Sequence, residues 1–193
     1  MNIIDRFIEY VKIPTMSDPN SETYPSSAKQ LVLARLLKEQ LSDLVDKVKL
    51  TDTGIVYGFL KSNYECEETI GLIAHMDTSP DMSDENVKPR IINNYDGSPI
   101  KLNDKVVMDP KDFPCLLHDI GSDIIVTDGT TLLGGDDKAG VAIIMDVLGR
   151  IKENPEIKHK NLAIAFTPDE YGVIPCSVDN YKWATYNTWW RNR

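Results

Sequence analysis

Ahead of Pro14 the apolar residues Ile4, Phe7, Ile8 and Val11 alternate with Asp5, Arg6 and Glu9. Spacings of three and four predict an amphipathic helix that the proline stops. A polar loop, residues 17–24, follows, and Pro25-Ser26-Ser27 opens a second helical stretch that runs to about Leu44. The pattern then shifts to short apolar runs. Residues 54–60 (GIVYGFL) and 69–75 (TIGLIAH) read as neighbouring strands joined by the acidic loop SNYECEE. Residues 80–104 are long, polar and rich in Asn, Asp and Pro. Inside a compact domain such a stretch is either functional or carries small strands of its own. IIVTDGTTLL, residues 124–133, predicts a hairpin turning at Asp128-Gly129. Val141, Ile144, Met145 and Leu148 share one face of a helix over 138–151, and NLAIAFT, residues 161–167, reads as a buried strand. Alternation of strands and helices predicts an α/β fold, a mixed sheet flanked by helices on both faces.

The last stretch breaks this pattern. Residues 171–193 hold all three tryptophans and three of the eight tyrosines, without leucine, glutamate or methionine and without periodicity. They read either as an aromatic segment packing on the sheet or as a tail foreign to the fold.

Composition narrows the function classes. With 193 residues, 41% apolar and 26% charged, the chain suits one globular domain with a real core. Thirty acidic against 21 basic residues give a net charge of −9, and no basic stripe interrupts it, so a nucleic-acid partner is not expected. No apolar stretch reaches membrane-spanning length, and the N-terminus lacks the basic flank and unbroken apolar core of a signal peptide. Cys66, Cys115 and Cys176 are odd in number and widely spaced, which predicts free thiols in a reducing, cytoplasmic setting.

Three apolar runs end in groups able to bind metal or move protons. TIGLIA closes on His75 with Asp77 two residues on; TLLGGDDKAG sets Asp136 and Asp137 between a glycine pair and a helix; LAIAFTPDE closes on acids up to Glu170. Singly each is ordinary: a hydrogen-bonded His–Asp pair, a capped helix, a Pro-Asp-Glu turn. Jointly they deliver one imidazole and several carboxylates to the carboxyl ends of strands, where open α/β sheets keep their chemistry. That set suits a hydrolytic zinc site, because zinc takes imidazole nitrogen and carboxylate oxygen and needs a nearby base to manage its water. His75 is the candidate ligand, Asp77 the acceptor that fixes its tautomer through the other ring nitrogen, and the helix N-terminus lies beside Asp136.

The runs IAHMDTSPD, NVKPRIINNYDGSPIKLN, TDGTTLLGGDDKAGVA and AIAFTPDE resemble the co-catalytic zinc exopeptidases related to carboxypeptidase G. The middle two are the more specific, and they resemble the members of that family that act on tripeptides. The likeness runs from the first helix to Glu170. It implies that residues 1–170 are part of a zinc-exopeptidase catalytic domain that releases the N-terminal residue from tripeptides. It further implies two zinc ions, with His75 as a ligand of one, Asp77 orienting it, Asp136 bridging the pair and Glu170 as general base. Departures follow from the same comparison. Where the family places a second, zinc-ligating glutamate this chain has Tyr171, and the later aspartate and histidine ligands have no counterpart. Nor has the lid and dimerisation domain, and with it the family's homodimer interface. A truncated, frameshifted product is therefore expected, with 171–193 as an aberrant tail; Trp189-Trp190-Arg191, which reads Gly-Gly when shifted by one base, is compatible with that. The competing expectations are an inactive remnant and a fragment that binds metal or peptide without hydrolysis.

Overall fold

The run NLAIAFT forms β8 (Asn161–Thr167), held between β2 (Val56–Leu60) and β3 (Thr69–His75), with β1 (Lys47–Leu50) outside β2. This computed structural model describes residues 1–170, so Tyr171, Cys176 and the whole 171–193 stretch lie outside it. β8 runs antiparallel to β2 and parallel to β3, which makes the sheet mixed, as expected. Flanked on both edges, β8 buries every residue from Leu162 to Thr167, and so shows the near-continuous apolar run of an interior strand.

Three helices supply the rest of the core. α1 (Ile3–Val11) starts where the Asn2 side chain accepts the Asp5 N–H at 2.9 Å, a standard N-cap. α2 (Gln30–Ser42) and α3 (Gly135–Glu153) follow the expected stretches with shifted ends. Phe7, Tyr10 and Val11 of α1, Leu33, Leu37 and Leu41 of α2, and Val141, Met145 and Leu148 of α3 pack with Leu162, Ile164 and Phe166. Register places Val56, Leu72 and Ala74 on that same face. Among the described residues all three helices therefore gather on one side of the sheet, where the alternation had predicted both. The opposite face carries Gly71, Ala163 and Ala165 along its middle, with Ile73 44% exposed beside them. At Gly58 the close approach of α2 is explicit. A Cβ there would stand 2.8 Å from Leu41 Cδ2 and 3.4 Å from Ile164 Cβ.

Two segments depart from expectation. β1 was not foreseen. The hairpin over 124–133 is corrected: β7 (Ile124–Val126) pairs antiparallel with β4 (Arg90–Ile92) instead. The turn itself forms, since Gly129 has a φ of +75° and donates its N–H to Thr127 Oγ1 at 2.9 Å. Its second arm leaves the pairing, and the Leu132 N–H goes to the Ser83 carbonyl at 2.9 Å. The competing strand comes from the long polar stretch, which does carry small strands: β4, and β5 (Ile100–Lys101) paired with β6 (Val107–Met108). With the 3-10 helix Pro114–Asp119 these build a separate small core around Tyr95, Ile100 and Leu116.

Candidate metal centre and active site

Parallel pairing sets His75 beside Thr167, so β3 and β8 end together and their following loops share one rim. His75 is half-buried with a carboxylate at each ring nitrogen. Nδ1 lies 3.1 Å from the Asp77 carbonyl and 3.3 Å from Asp77 Oδ1, and Nε2 lies 3.0 Å from Asp136 Oδ1. Burial opposes charge on the ring, but the hydrogen bond and field of Asp77, then Asp136 and Asp137, overcome it and push its pKa up to about 9.

Asp77 is fully buried and its other contacts are short-range and specific. Its Oδ2 accepts the Ser17 hydroxyl, and its Oδ1 accepts the Glu170 N–H at 2.9 Å. One step outward, buried Asp84 accepts the backbone N–H groups of Thr15 and Met16 at 2.5 and 3.0 Å and the Thr78 hydroxyl at 3.0 Å.

The Gly134-Gly135 turn delivers Asp136. Gly134 has a φ of +77°, a conformation that glycine adopts without the penalty of a Cβ. Asp136 and Asp137 keep non-helical backbone, and the peptide between them is cis. Regular helix begins at Lys138, where it was expected. Asp137 Oδ1 accepts the Gly140 N–H at 3.0 Å and so caps α3, while the Asp136 side chain is 76% exposed at the rim. Lys138 is buried and donates to the Ile13 carbonyl at 2.7 Å. Burial lowers its pKa to about 8 against the opposing pull of Asp84 and Asp77.

Of the residues expected from sequence, His75, Asp77 and Asp136 come together directly. Glu170 joins them through its backbone N–H, and its side chain is exposed. Tyr171 lies outside the described residues. Among the described residues, no three His, Cys, Asp or Glu side chains form a group able to hold a metal. Three participants went unforeseen: Ser17, Lys138 and Asp169. For Asp169 a signal existed. Aspartate is one of the few residues that tolerates the left-handed region, and Asp169 sits there with a φ of +59°.

No family model matches the chain. It is 51% identical over 172 residues to a peptidase T of Clostridium acetobutylicum, covering 87% of this chain and 42% of that one. To a peptidase T of Staphylococcus aureus it is 49% identical over 170 residues, with 87% and 42% covered. The chain thus spans less than half the length of the curated relatives it matches. Among solved structures it resembles a tripeptidase from Staphylococcus aureus, at 25% identity and a TM-score of 0.58 over 88% of this chain and 36% of that one. An M20 family metallo-carboxypeptidase from Sulfolobus solfataricus shares the fold, at 18% identity and a TM-score of 0.55 over 97% of this chain and 35% of that one. The mixed sheet and its flanking helices are the fold that these peptidase structures share. Within that class, identity at about half of the aligned positions makes this chain a member of the peptidase T family.

Proposed function

We propose that this chain carries part of the active site of a zinc aminopeptidase that releases the N-terminal residue of tripeptides in the cytoplasm. The observation that carries the reading is the 3.0 Å convergence of His75 Nε2 and Asp136 Oδ1, with Asp77 against the other ring nitrogen. Imidazole nitrogen and carboxylate oxygen are zinc donors, so the pair fits the metal as far as it goes. His75 and Asp136 would hold it, Asp136 as the bridge if two ions bind. Zinc there supplies Lewis acidity toward a peptide carbonyl and lowers the pKa of water. Asp77, accepting from Nδ1–H, leaves Nε2 with its lone pair facing the metal position. The Glu170 carboxylate takes the proton from the attacking water and passes it to the departing amine nitrogen. Similarity to a protein described as a tripeptidase supports the substrate class, and free Cys66 and Cys115 suit a reducing compartment.

A second reading, a non-catalytic fragment, draws on the lack of a third donor among the described residues. Both are tested by loading the purified chain with zinc, counting bound metal after desalting, and measuring amine release from a tripeptide. Zinc retention with turnover that Glu170→Gln abolishes supports the enzyme. Turnover that survives Glu170→Gln overturns the base assignment, and a chain that holds no zinc and cleaves nothing supports the second reading.

A further inference from the structure

We infer that Ser26 and Gln30, at the entrance to α2, are positioning residues that lock the Asp169 turn and thereby aim Glu170 at the metal rim. The inference rests on the reading of Glu170 as the base. β8 ends at Thr167, whose carbonyl accepts the Met76 N–H at 2.7 Å, and two residues later the chain must turn sharply through Asp169. Aspartate tolerates the φ of +59° found there better than most residues, and its surroundings fix it in that conformation. Those surroundings come from a segment about 140 positions away. Asp169 accepts the Ser26 N–H at 2.7 Å, the Ser26 hydroxyl, and the Gln30 amide at 2.7 Å, while its own N–H donates to Gln30 Oε1 at 3.2 Å. Gln30 therefore grips the turn with both ends of its amide, and neither Gln30 nor Asp169 is accessible to water.

The same segment holds the other buried acid of the site. Ser17 donates to Asp77, and the Asp18 N–H donates to Ser26 Oγ at 3.0 Å, which links the two grips. Since Asp77 Oδ1 accepts the Glu170 N–H, the turn set by Gln30 and Ser26 also decides whether that bond forms. Residues 17–30 clasp the orienter of His75 and the turn before the base as one unit.

Amide hydrogen exchange on the 15N-labelled, metal-free chain tests this. Gln30→Ala is expected to raise exchange at Glu170 by roughly tenfold, while the Ile164 and Phe166 amides of β8 stay within about twofold of the parent. Asp169→Gly, which accepts the left-handed backbone but has no carboxylate, is expected to do the same. Should Gln30→Ala not fold, Ser26→Ala removes the hydroxyl alone and is read in the same way. Unchanged exchange at Glu170, or a rise matched by Ile164 and Phe166, would overturn the lock, since the network would then be irrelevant or merely structural. Turnover that persists in Glu170→Gln sinks the base assignment instead and leaves the exchange result standing.

Discussion

Half-buried His75 and buried Lys138 have pKa values that move toward each other, and the metal-free chain should show a dip in stability at mildly alkaline pH as a result. His75 rises from 6.5 to about 9, so the folded state holds a proton that the unfolded state releases. Its contribution is full below pH 6.5 and is lost as pH climbs through about 9. Lys138 falls from 10.5 to about 8, so its buried charge penalises the fold below pH 8, and the penalty lifts as pH climbs toward 10.5. Between 6.5 and 8 only His75 acts. At about 1.4 kcal/mol per pH unit, stability drops there by about 2 kcal/mol. From 8 to 9 the two slopes oppose and cancel. Above 9 Lys138 alone acts and stability recovers, until ionisation of tyrosine in the unfolded chain reverses the trend. Tyr10, raised from 10 to about 12 mainly by burial, offsets Lys138 from pH 10 and makes that reversal begin above pH 10.5. Urea unfolding with chelator present, followed by circular dichroism from pH 6 to 10.5, gives the curve. Lys138→Met should remove the recovery and extend the fall to pH 9, about 3 kcal/mol in all, and His75→Gln should remove the fall. A parent curve that is flat or rising between pH 6.5 and 8 would refute the assignment of a protonated His75 held by Asp77 and Asp136.

On the proposed zinc reading, the same protonation state would make metal binding a proton-releasing event. Titration calorimetry at pH 7 in buffers of different ionisation enthalpy should show about one proton leaving per zinc, and heats independent of buffer would contradict His75 as the ligand. Gly58→Val should lower stability by about 1–3 kcal/mol in urea unfolding, because the new side chain meets Leu41 and Ile164; a neutral result would mean that α2 lies farther from β2. Leu37→Ala, which opens a cavity between α2 and the sheet, should lose about 2–5 kcal/mol in the same assay, and a loss under 1 would place Leu37 outside the core.

The elements that could be read from sequence were those whose burial is decided locally. α1 showed three-and-four spacing ending at a proline, and β8 showed an unbroken apolar run, because packing on one stripe or on both faces leaves that mark; β3 showed a like run although only Ala74 in it is buried. β1 left little. In Lys47–Leu50 two lysines flank Val48, and so short an outer strand is specified by its partner. The hairpin failed for a related reason: a turn motif says where the chain bends, and which strand pairs with Ile124–Val126 was settled by Arg90–Ile92, far upstream. Around the rim, His75, Asp77 and Asp136 could be singled out in the sequence because metal chemistry restricts residue type, and the structure brings them together. Ser17, Lys138 and the grip of Ser26 and Gln30 on Asp169 were not, since hydrogen bonds between distant segments leave no periodicity.

The small core around Tyr95, Ile100 and Leu116 lies between the two loops that carry His75 and Asp136. Both ends of that insert are tied down beside the rim, where the Leu132 N–H meets Ser83 and the Ser17 N–H meets Thr78. The insert thus behaves as an appendage on a closed neck. That neck, together with Val87 and Ile125 packed into the main core, ties the separation of imidazole and carboxylate to the seating of the whole insert.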